Sequence, residues 1–291
     1  MSLRLSYGTN GFGDHPLPAA LDVIAGLGYD GVALTLDHQH LDPFAPGLPA
    51  RVDAARAMLT ERGLGVVVET GARYLLDPWR KHEPTLVSAA GREPRLELTR
   101  RAVDIARDLG ADVVHLWSGI LPAGTSPGAG WERLLAGMSK LVPHAEAAGV
   151  RLAFEPEPGM FIETLADLRE LRRRLGSPPA VGATVDVGHL VCIEDESPAD
   201  CIRGAAGDVL HVQIEDMRRG VHEHLEFGEG ELDLPAALGA LLEIDYRGLV
   251  SVELARHSPT APATAARSMR ALRDALDRLP RSPSPATEEA S

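Results

Sequence analysis

Eight short apolar runs alternate along the chain with longer amphipathic segments, and this alternation limits the fold more than any other feature. The runs are Leu3–Gly8, Gly31–Leu36, Gly65–Thr70, Asp112–Trp117, Val150–Glu155, Val181–Asp186, Val209–Ile214 and Leu249–Leu254. Segments such as RVDAARAMLTERG and RLELTRRAVDIARDLG lie between them, and several end in glycine, as helix C-termini prefer. Strands that alternate with helices indicate βαβ units and a parallel sheet.

The number of these repeats predicts the architecture of the sheet. Eight repeats within residues 1–279 indicate one α/β domain, a (β/α)8 TIM barrel, with a doubly wound open sheet as the alternative. Polar residues at the strand ends favour the barrel, because barrel sites are built at the carboxyl ends of several strands. The sequence contains no G-x-G-x-x-G or P-loop motif. Residues 280–291, rich in Pro, Ser and Glu, are predicted to be a disordered tail.

Charge and cysteine content narrow the partners and the compartment. A formal net charge of −13 disfavours nucleic acid and anionic membranes as partners, which leaves a small-molecule substrate and does not decide for or against a homo-oligomer. Cys192 and Cys201 lack C-x-x-C spacing, so we expect reduced, buried thiols. The start MSLRLSYGTN lacks the apolar run of a signal peptide, and no segment approaches the roughly 20 apolar residues of a membrane span. These features predict a cytoplasmic protein.

Polar side chains collect at the carboxyl ends of the later predicted strands. These residues are His115 and Trp117, Glu155 and Glu157, Asp186 and His189, His211, Gln213, Glu215 and Asp216, and Glu253, Arg256 and His257. Burying several carboxylates together is costly unless a positive charge lies among them, and one divalent metal ion is the simplest remedy. Carboxylates with one or two imidazoles suit Mn, Mg, Co or Zn, whereas the lack of cysteine ligands argues against a structural zinc cage.

Several strings at these strand ends match a known family in order and placement. LAFEPEPG, TVDVGHL, HVQIED, HEHLEFGEGELDLPAAL and GLVSVEL resemble the xylose isomerase-like TIM-barrel family, most strongly over residues 150–254. That family holds sugar-phosphate isomerases and epimerases, ketose 3-epimerases, inosose-processing enzymes and, more distantly, zinc-dependent apurinic endonucleases. The resemblance implies the same fold and one divalent ion, such as manganese.

The resemblance also implies roles for individual residues. Glu155 and Glu253 correspond to metal ligands that also act as acid/base groups, and Asp186 and His211 correspond to further ligands. His189 corresponds to a substrate-contacting group. In such an enzyme a proton moves on a carbon next to a carbonyl, through a metal-bound enediolate, with one carboxylate on each face of the substrate.

Other residues are predicted to line the pocket. His115, Trp117, His224 and Glu69 are expected to contact the substrate, and Phe12 and Trp79 to form apolar walls. Each of these residues also has a purely structural interpretation. His115 and Trp117 could fill the core, Glu69 could pair with Arg73, and His222 and His224 could be solvated loop residues. Two features depart from the family pattern. Strand two reads VALTLD where many members carry glutamate, and Glu157 is additional.

The predicted function is a metal-dependent isomerase or epimerase of a sugar, polyol or sugar phosphate in carbohydrate metabolism. A lyase that dehydrates a keto-inositol is the first alternative, because it needs the same proton abstraction. A catalytically silent barrel that binds a metabolite is the second, since a barrel alone proves no activity. An apurinic endonuclease is disfavoured by the charge of −13, because it needs a basic groove.

Overall fold

The computed structural model describes residues 2–279, and the predicted disordered tail at 280–291 lies outside the described residues. Its strands are β1 Arg4–Gly8, β2 Gly31–Thr35, β3 Gly65–Glu69, β4 Val113–Trp117, β5 Arg151–Glu155, β6 Val181–Asp186, β7 Val209–Ile214, β8 Asp216–Arg218, β9 Val221–Leu225 and β10 Leu249–Val252. All except β8 and β9 form one closed parallel barrel in the order β1-β10-β7-β6-β5-β4-β3-β2. The predicted (β/α)8 barrel is confirmed, and the doubly wound sheet is excluded because the first and last barrel strands pair.

Helices follow the barrel strands and cover the outside of the barrel. They are α1 Leu17–Gly26, α2 Leu48–Glu61, α3 Glu93–Leu109, α4 Pro127–Ala148, α5 Leu165–Arg174, α6 Val187–Ile193, α7 Pro198–Gly204, α8 Leu234–Glu243 and α9 Ala261–Asp277. The predicted capping box starts α5, since the Thr164 hydroxyl accepts from the Asp167 amide at 3.1 Å and the Asp167 carboxylate accepts from the Thr164 amide at 3.0 Å. Within residues 2–279 no helix is both long enough and apolar enough to cross a membrane.

Burial on both faces explains why the strands read as continuous apolar runs. Residues such as Leu34, Val114 and Phe154 are at most 1% exposed and belong to one large core cluster with the helices. Cys192 and Cys201 are both buried and free, as expected. This packing leaves the carboxyl ends of the strands as the place where polar side chains collect.

An antiparallel hairpin, β8–β9, was not predicted and covers part of that end. It turns at Gly220, which has a φ of 71°. The buried carboxylate of Asp216 holds it by accepting hydrogen bonds from the backbone amides of Met217, Gly228 and Leu232, each within 2.9 Å. The hairpin therefore brings His222 and His224 to the mouth of the barrel.

Candidate active site

A cavity of about 340 Å³ opens at the carboxyl ends of the barrel strands. Its lining includes seven of the nine residues predicted as metal ligands, acid/base groups or substrate contacts: Glu69, His115, Trp117, Glu155, His189, His224 and Glu253. The cavity is in the size range of small-molecule sites, and it has the position in which TIM barrels carry theirs.

Glu155 closes β5 and is almost fully buried. Its Oε2 lies 2.6 Å from Nε2 of His115 on the neighbouring strand β4, and its Oε1 lies 3.5 Å from Nδ1 of His189. Burial raises the pKa of Glu155 well above its ordinary range, and the negative charges of Glu253 and Asp186 raise it further. A carboxyl group in this setting holds its proton more tightly than an exposed glutamate does.

Glu253 follows β10 and faces the same cavity. Its Oε1 accepts a hydrogen bond of 2.8 Å from the side-chain amide of Asn10. Burial raises the pKa of Glu253 to about 7, with His224 lowering it and the charges of Glu69 and Asp186 raising it. Glu253 therefore sits at the midpoint of its titration near neutral pH, where a general acid or base works best.

Asp186 ends β6 and also caps the next helix. Its Oδ1 accepts from the backbone amide of His189 at 2.8 Å, while its Oδ2 has no hydrogen-bond partner among the described residues. Nδ1 of His189 lies 3.3 Å from the Pro156 carbonyl oxygen, and Nε2 lies 3.1 Å from Nε2 of His222. Burial lowers the pKa of His189 to about 3, so its imidazole is neutral at pH 7. A carbonyl partner at Nδ1 selects the tautomer that leaves a lone pair on Nε2.

Glu215 is a fully buried carboxylate that the sequence did not single out as a site residue. Neither of its oxygens accepts a hydrogen bond from an amide, hydroxyl or imidazole group within residues 2–279, Oε1 lies 3.5 Å from Nδ1 of His224, and the carboxyl group contacts that of Asp186. Burial raises the pKa of Glu215 well above its ordinary range, and the charges of Asp186 and Glu253 add to the effect. The carboxylate fits because residue 188 is glycine, since a Cβ there would collide with Glu215 Oε1.

These groups fit a divalent cation. One ligand atom from each of Asp186, Glu215, His224 and Glu253 lies within 4.8 Å of the others. Asp186 Oδ2, both Glu215 oxygens and His224 Nδ1 lack hydrogen-bond partners in the described part of the chain. The pKa values of Glu215 and Glu253 are raised and that of Asp186 is lowered, and a positive charge among their oxygens would stabilise all three in the ionised form. Three carboxylates and one imidazole are a donor set suited to Mn, Mg, Co or Zn.

Two overlapping groups lie around this one. Glu155, Asp186 and His189 have ligand atoms within the same 4.8 Å limit, and so do His189, His222 and His224. Of the predicted ligands, Asp186 and Glu253 therefore share a group, and Glu155 shares a group with Asp186.

His211, the fourth predicted ligand, is not a member of these groups, and both of its ring nitrogens lack hydrogen-bond partners within residues 2–279. It is fully buried beside Thr184 in the β6–β7 register, and its Nε2 is 3.4 Å from Glu69 Oε1. Burial alone would raise the pKa of Glu69. The contact with His211, the hydrogen bond from Thr35 and the charges of His211 and His115 have the larger, opposite effect, so the pKa of Glu69 is lowered.

Gln213, two residues further along β7, lines the cavity instead. It is the register partner of Asp186, and its side-chain amide donates to Glu69 Oε1 at 2.9 Å. Its carbonyl oxygen has no hydrogen-bond partner within residues 2–279. The β7 side chain at the level of Asp186 is therefore an amide rather than an imidazole.

The expected apolar walls are not where the sequence placed them. Phe12 is fully buried in the core, Trp79 is 90% exposed, and neither lines the cavity. The prediction for these two residues is wrong, because Phe12 packs edge-on against Tyr7 on a 3-10 turn after β1. Glu157 does line the cavity, and burial together with the charges of Glu155 and Glu253 raises its pKa well above its ordinary range.

The sequence also matches a described family over most of its length. The family described as xylose isomerase-like TIM barrel matches residues 21–275. The chain belongs to this family. The predicted family is thereby confirmed.

Relatives of this xylose isomerase-like protein include an epimerase and a dehydratase, at low identity. A 3-dehydroshikimate dehydratase of Pseudomonas putida is 27% identical over 249 residues, which are 82% of this chain. The chain spans only 36% of the length of that dehydratase. The L-ribulose-5-phosphate 3-epimerase UlaE of Shigella flexneri is 24% identical over 240 residues, which are 81% of each chain. Relatives of this kind support an enzyme of the sugar isomerase and epimerase type.

Solved structures with the same fold hold a sugar or a metal. D-allulose 3-epimerase from Methylomonas sp. in complex with D-allulose has a TM-score of 0.71 and 19% identity, over 94% of this chain and 96% of that one. The IOLI protein with a bound zinc atom has a TM-score of 0.73 and 16% identity, over 96% and 100%. At these identities the likeness establishes the shared fold.

Proposed function

We propose that the protein is a divalent-metal-dependent isomerase or epimerase of a sugar, polyol or sugar phosphate. The observation that carries the proposal is the pair of Glu155 and Glu253, which line one cavity from different barrel strands and both have raised pKa values. Isomerisation and epimerisation remove a proton from a carbon next to a carbonyl and return one. Two carboxyl groups with raised pKa values, one on each side of the substrate, can perform both steps.

Each acid/base group has a neighbour that orients it. His115 contacts one oxygen of Glu155, and the Asn10 amide donates to one oxygen of Glu253, which leaves the other oxygen of each carboxyl group to exchange a proton with the substrate. In the metal-free protein the pKa of Glu253 is about 7, so both of its protonation states are populated near neutral pH. His189, Trp117 and His224 line the cavity as proposed substrate contacts.

The proposed ligands of one divalent ion are Asp186 and Glu253 together with Glu215 and His224, and Glu155 adjoins this group. The ion would supply positive charge where negative charge develops on the substrate oxygens, and would offset the repulsion among the buried carboxylates. Mn, Mg, Co and Zn all suit this donor set, and the zinc atom bound by the IOLI protein, which has the same fold, supports a metal ion in this protein.

The experiment that tests this function measures metal content and turnover together. Metal analysis of the purified protein is followed by assays on a panel of ketoses, ketose phosphates and inososes, with and without added Mn²⁺, Mg²⁺, Co²⁺ or Zn²⁺. Glu155→Gln and Glu253→Gln should each lower turnover by about a thousandfold while the protein stays folded. Glu132→Gln is the matched control, because Glu132 is exposed on α4. Turnover that needs no metal and survives both substitutions would refute the proposal.

A dehydratase is the second candidate, and two observations favour it. The Pseudomonas putida relative that matches 82% of this chain is a dehydratase, and Glu157 presents a third carboxyl group with a raised pKa to the cavity. Such a group, when protonated, can donate a proton to a departing hydroxide. NMR analysis of the product separates the candidates, because an isomerase yields a stereoisomer or positional isomer and a dehydratase yields a product that has lost water.

A further inference from the structure

A long connection between β3 and α3 forms one wall of the cavity. The connection is held by Arg95, which is 3% exposed and donates to the backbone carbonyls of Thr70, His82 and Pro84 at 3.2, 2.7 and 2.9 Å. The guanidinium also lies 4.6 Å from the ring centroid of Trp117, which lines the cavity. The guanidinium of Arg95 thus donates its hydrogen bonds to the backbone of the connection and holds Thr70 close to His82 and Pro84.

Two other cations of this connection, Arg73 and Lys81, face the cavity and lack, within residues 2–279, the protein partners that Arg95 has. The backbone amide of His82 donates to the Arg73 carbonyl at 2.6 Å, so residues 73–82 leave the cavity and return to it. Arg73 and Lys81 both line the cavity, and neither forms an ion pair with any residue of the described chain. Arg80, by contrast, is paired with Asp77 at 2.7 Å and does not line the cavity.

A third cation reaches the same opening from the other side. Arg256, after β10, lines the cavity and has only a loose ion pair, with 3.6 Å to Glu223. His222 lines this opening as well and is close enough to Lys81 and Arg256 to be influenced by both positive charges. Arg73 and Lys81 likewise add to the effect of burial on His82, whose pKa falls to about 3. The three cations therefore act on the same part of the cavity.

The cavity is divided by charge. Glu69, Glu155 and Glu253 lie along the strand ends, while Arg73, Lys81 and Arg256 are exposed at the opening. In a chain with a net charge of −13, exposed cations without close partners next to a ligand cavity have the charge and the access that an anion requires. The carboxylates exclude an anionic group from the strand ends, so a ligand with one charged end has a single favourable orientation.

We infer that the substrate carries an anionic group, a carboxylate or a phosphate, which Arg73, Lys81 and Arg256 hold at the opening while the reacting carbons face Glu155 and Glu253. The inference rests on the proposed function, because it assigns a direction to the substrate of that reaction. Carboxylate and phosphate share the chemistry that these cations recognise, namely a negatively charged oxygen that accepts charge-assisted hydrogen bonds.

The test measures anion binding without requiring turnover. Inorganic phosphate and ¹³C-labelled acetate are titrated by NMR into the full-length protein loaded with Mg²⁺. We expect at least one of the two anions to bind, and Arg73→Ala and Lys81→Ala each to weaken its dissociation constant by about fivefold or more. Arg80→Ala is the matched control and should change the constant by less than about twofold. Binding of phosphate alone points to a phosphate ester, and binding of acetate alone points to a carboxylate.

Three outcomes overturn the inference. The first is that neither anion binds. The second is that Arg73→Ala and Lys81→Ala leave the dissociation constant unchanged, and the third is that Arg80→Ala weakens binding as much as they do. Glu155→Gln separates this inference from the proposed function, because it should abolish turnover and leave the anion affinity within about twofold. An intact anion site in a protein that exchanges no substrate proton would refute the function alone, whereas turnover of neutral sugars without anion binding would refute the inference alone.

Discussion

The Nε2 atom of His115 on β4 lies 2.6 Å from Oε2 of Glu155 on β5, and both side chains are buried at the floor of the cavity. The pairing register places Trp117 beside Glu155, so β4 supplies both the contact to the carboxylate and part of the cavity wall. In the proposed reaction this contact sets the direction in which the second Glu155 oxygen points. His115 therefore acts on the reaction through Glu155.

Replacing His115 tests this relationship. His115→Gln should lower kcat by about a hundredfold, because a small misplacement of an acid/base group is costly, while metal content stays unchanged. His144→Gln is the matched control, since His144 lies on α4 outside the cavity. Equal kcat values for His115→Gln and the unaltered protein, measured at saturating substrate, would count against the orienting role.

The pH dependence of stability follows from the raised pKa of Glu253. The ordinary pKa is 4.5 and the folded value is about 7, so the unfolded chain releases this proton at lower pH than the folded chain does. The contribution to stability is therefore complete below pH 4.5 and is lost as the pH rises through about 7. The metal-free protein should lose about 5 °C more in Tm between pH 5 and pH 8 than metal-free Glu253→Gln does.

Added metal should reverse that loss. At pH 8 a divalent ion should raise the Tm of the unaltered protein, and at pH 5 it should raise it less, because protons compete for the same carboxylates. Thermal unfolding followed by circular dichroism gives both values. If Tm changed with pH to the same extent in metal-free Glu253→Gln and in the unaltered metal-free protein, the raised pKa of Glu253 would be contradicted.

Much of the fold was predictable, because each barrel strand is a continuous apolar run between glycine-ended helical patterns. Residues 181–186 and 209–214 were predicted to the residue, and the other barrel strands differ only at their ends. The β8–β9 hairpin was missed for a physical reason. Its sequence DMRRGVHEHL lacks an apolar alternation, and its stability comes from the buried Asp216, whose partners are backbone amides that no sequence pattern reveals.

The sequence predicted which strand ends form the candidate site, but not which side chain of each strand reaches the level of the ligand group. A period of two places His211 and Gln213 on the same face of β7, but which of them reaches the level of Asp186 depends on the stagger of the barrel. Glu215 was recognised as a strand-end residue but was given no role, because it follows the last residue of β7 and its direction depends on the turn into β8. The one local signal for it is Gly188, which leaves the space that Glu215 fills.

Gly188→Ala tests the importance of that space. Alanine should favour the α6 helix by about 1 kcal/mol from intrinsic propensity alone, yet its Cβ collides with the Glu215 carboxylate. We expect the collision to dominate and to weaken metal affinity by about tenfold or more, measured by competition with a chelator. Gly204→Ala is the matched control, because a Cβ on Gly204 meets no atom within 4 Å. Unchanged metal affinity in Gly188→Ala would remove Glu215 from the proposed ligand group.

The two candidate donors of β7 can be compared directly. Gln213 lines the cavity at the register level of Asp186 and has a free carbonyl oxygen, whereas His211 lies beside Glu69 and has two ring nitrogens without hydrogen-bond partners in residues 2–279. Gln213→Leu should therefore weaken metal affinity by about tenfold, and His211→Leu should mainly lower stability, by about 1–3 kcal/mol, because it removes the partner of a buried carboxylate. The reverse order of metal affinities would support His211, the ligand predicted from the sequence, as the β7 donor.

Exchange of a substrate proton with solvent tests directly whether Glu155 and Glu253 act as the acid/base pair of a metal-dependent reaction. The metal-loaded protein is incubated in deuterated water with a panel of ketoses, their terminal phosphate esters and their terminal carboxylates, and the hydrogen on the carbon next to the carbonyl is followed by NMR. We predict that deuterium enters that position in at least one compound, that chelation of the metal stops the exchange, and that Glu155→Gln and Glu253→Gln each abolish it. A metal-loaded, folded protein that exchanges no such proton, or that exchanges it equally after both substitutions, would contradict the account.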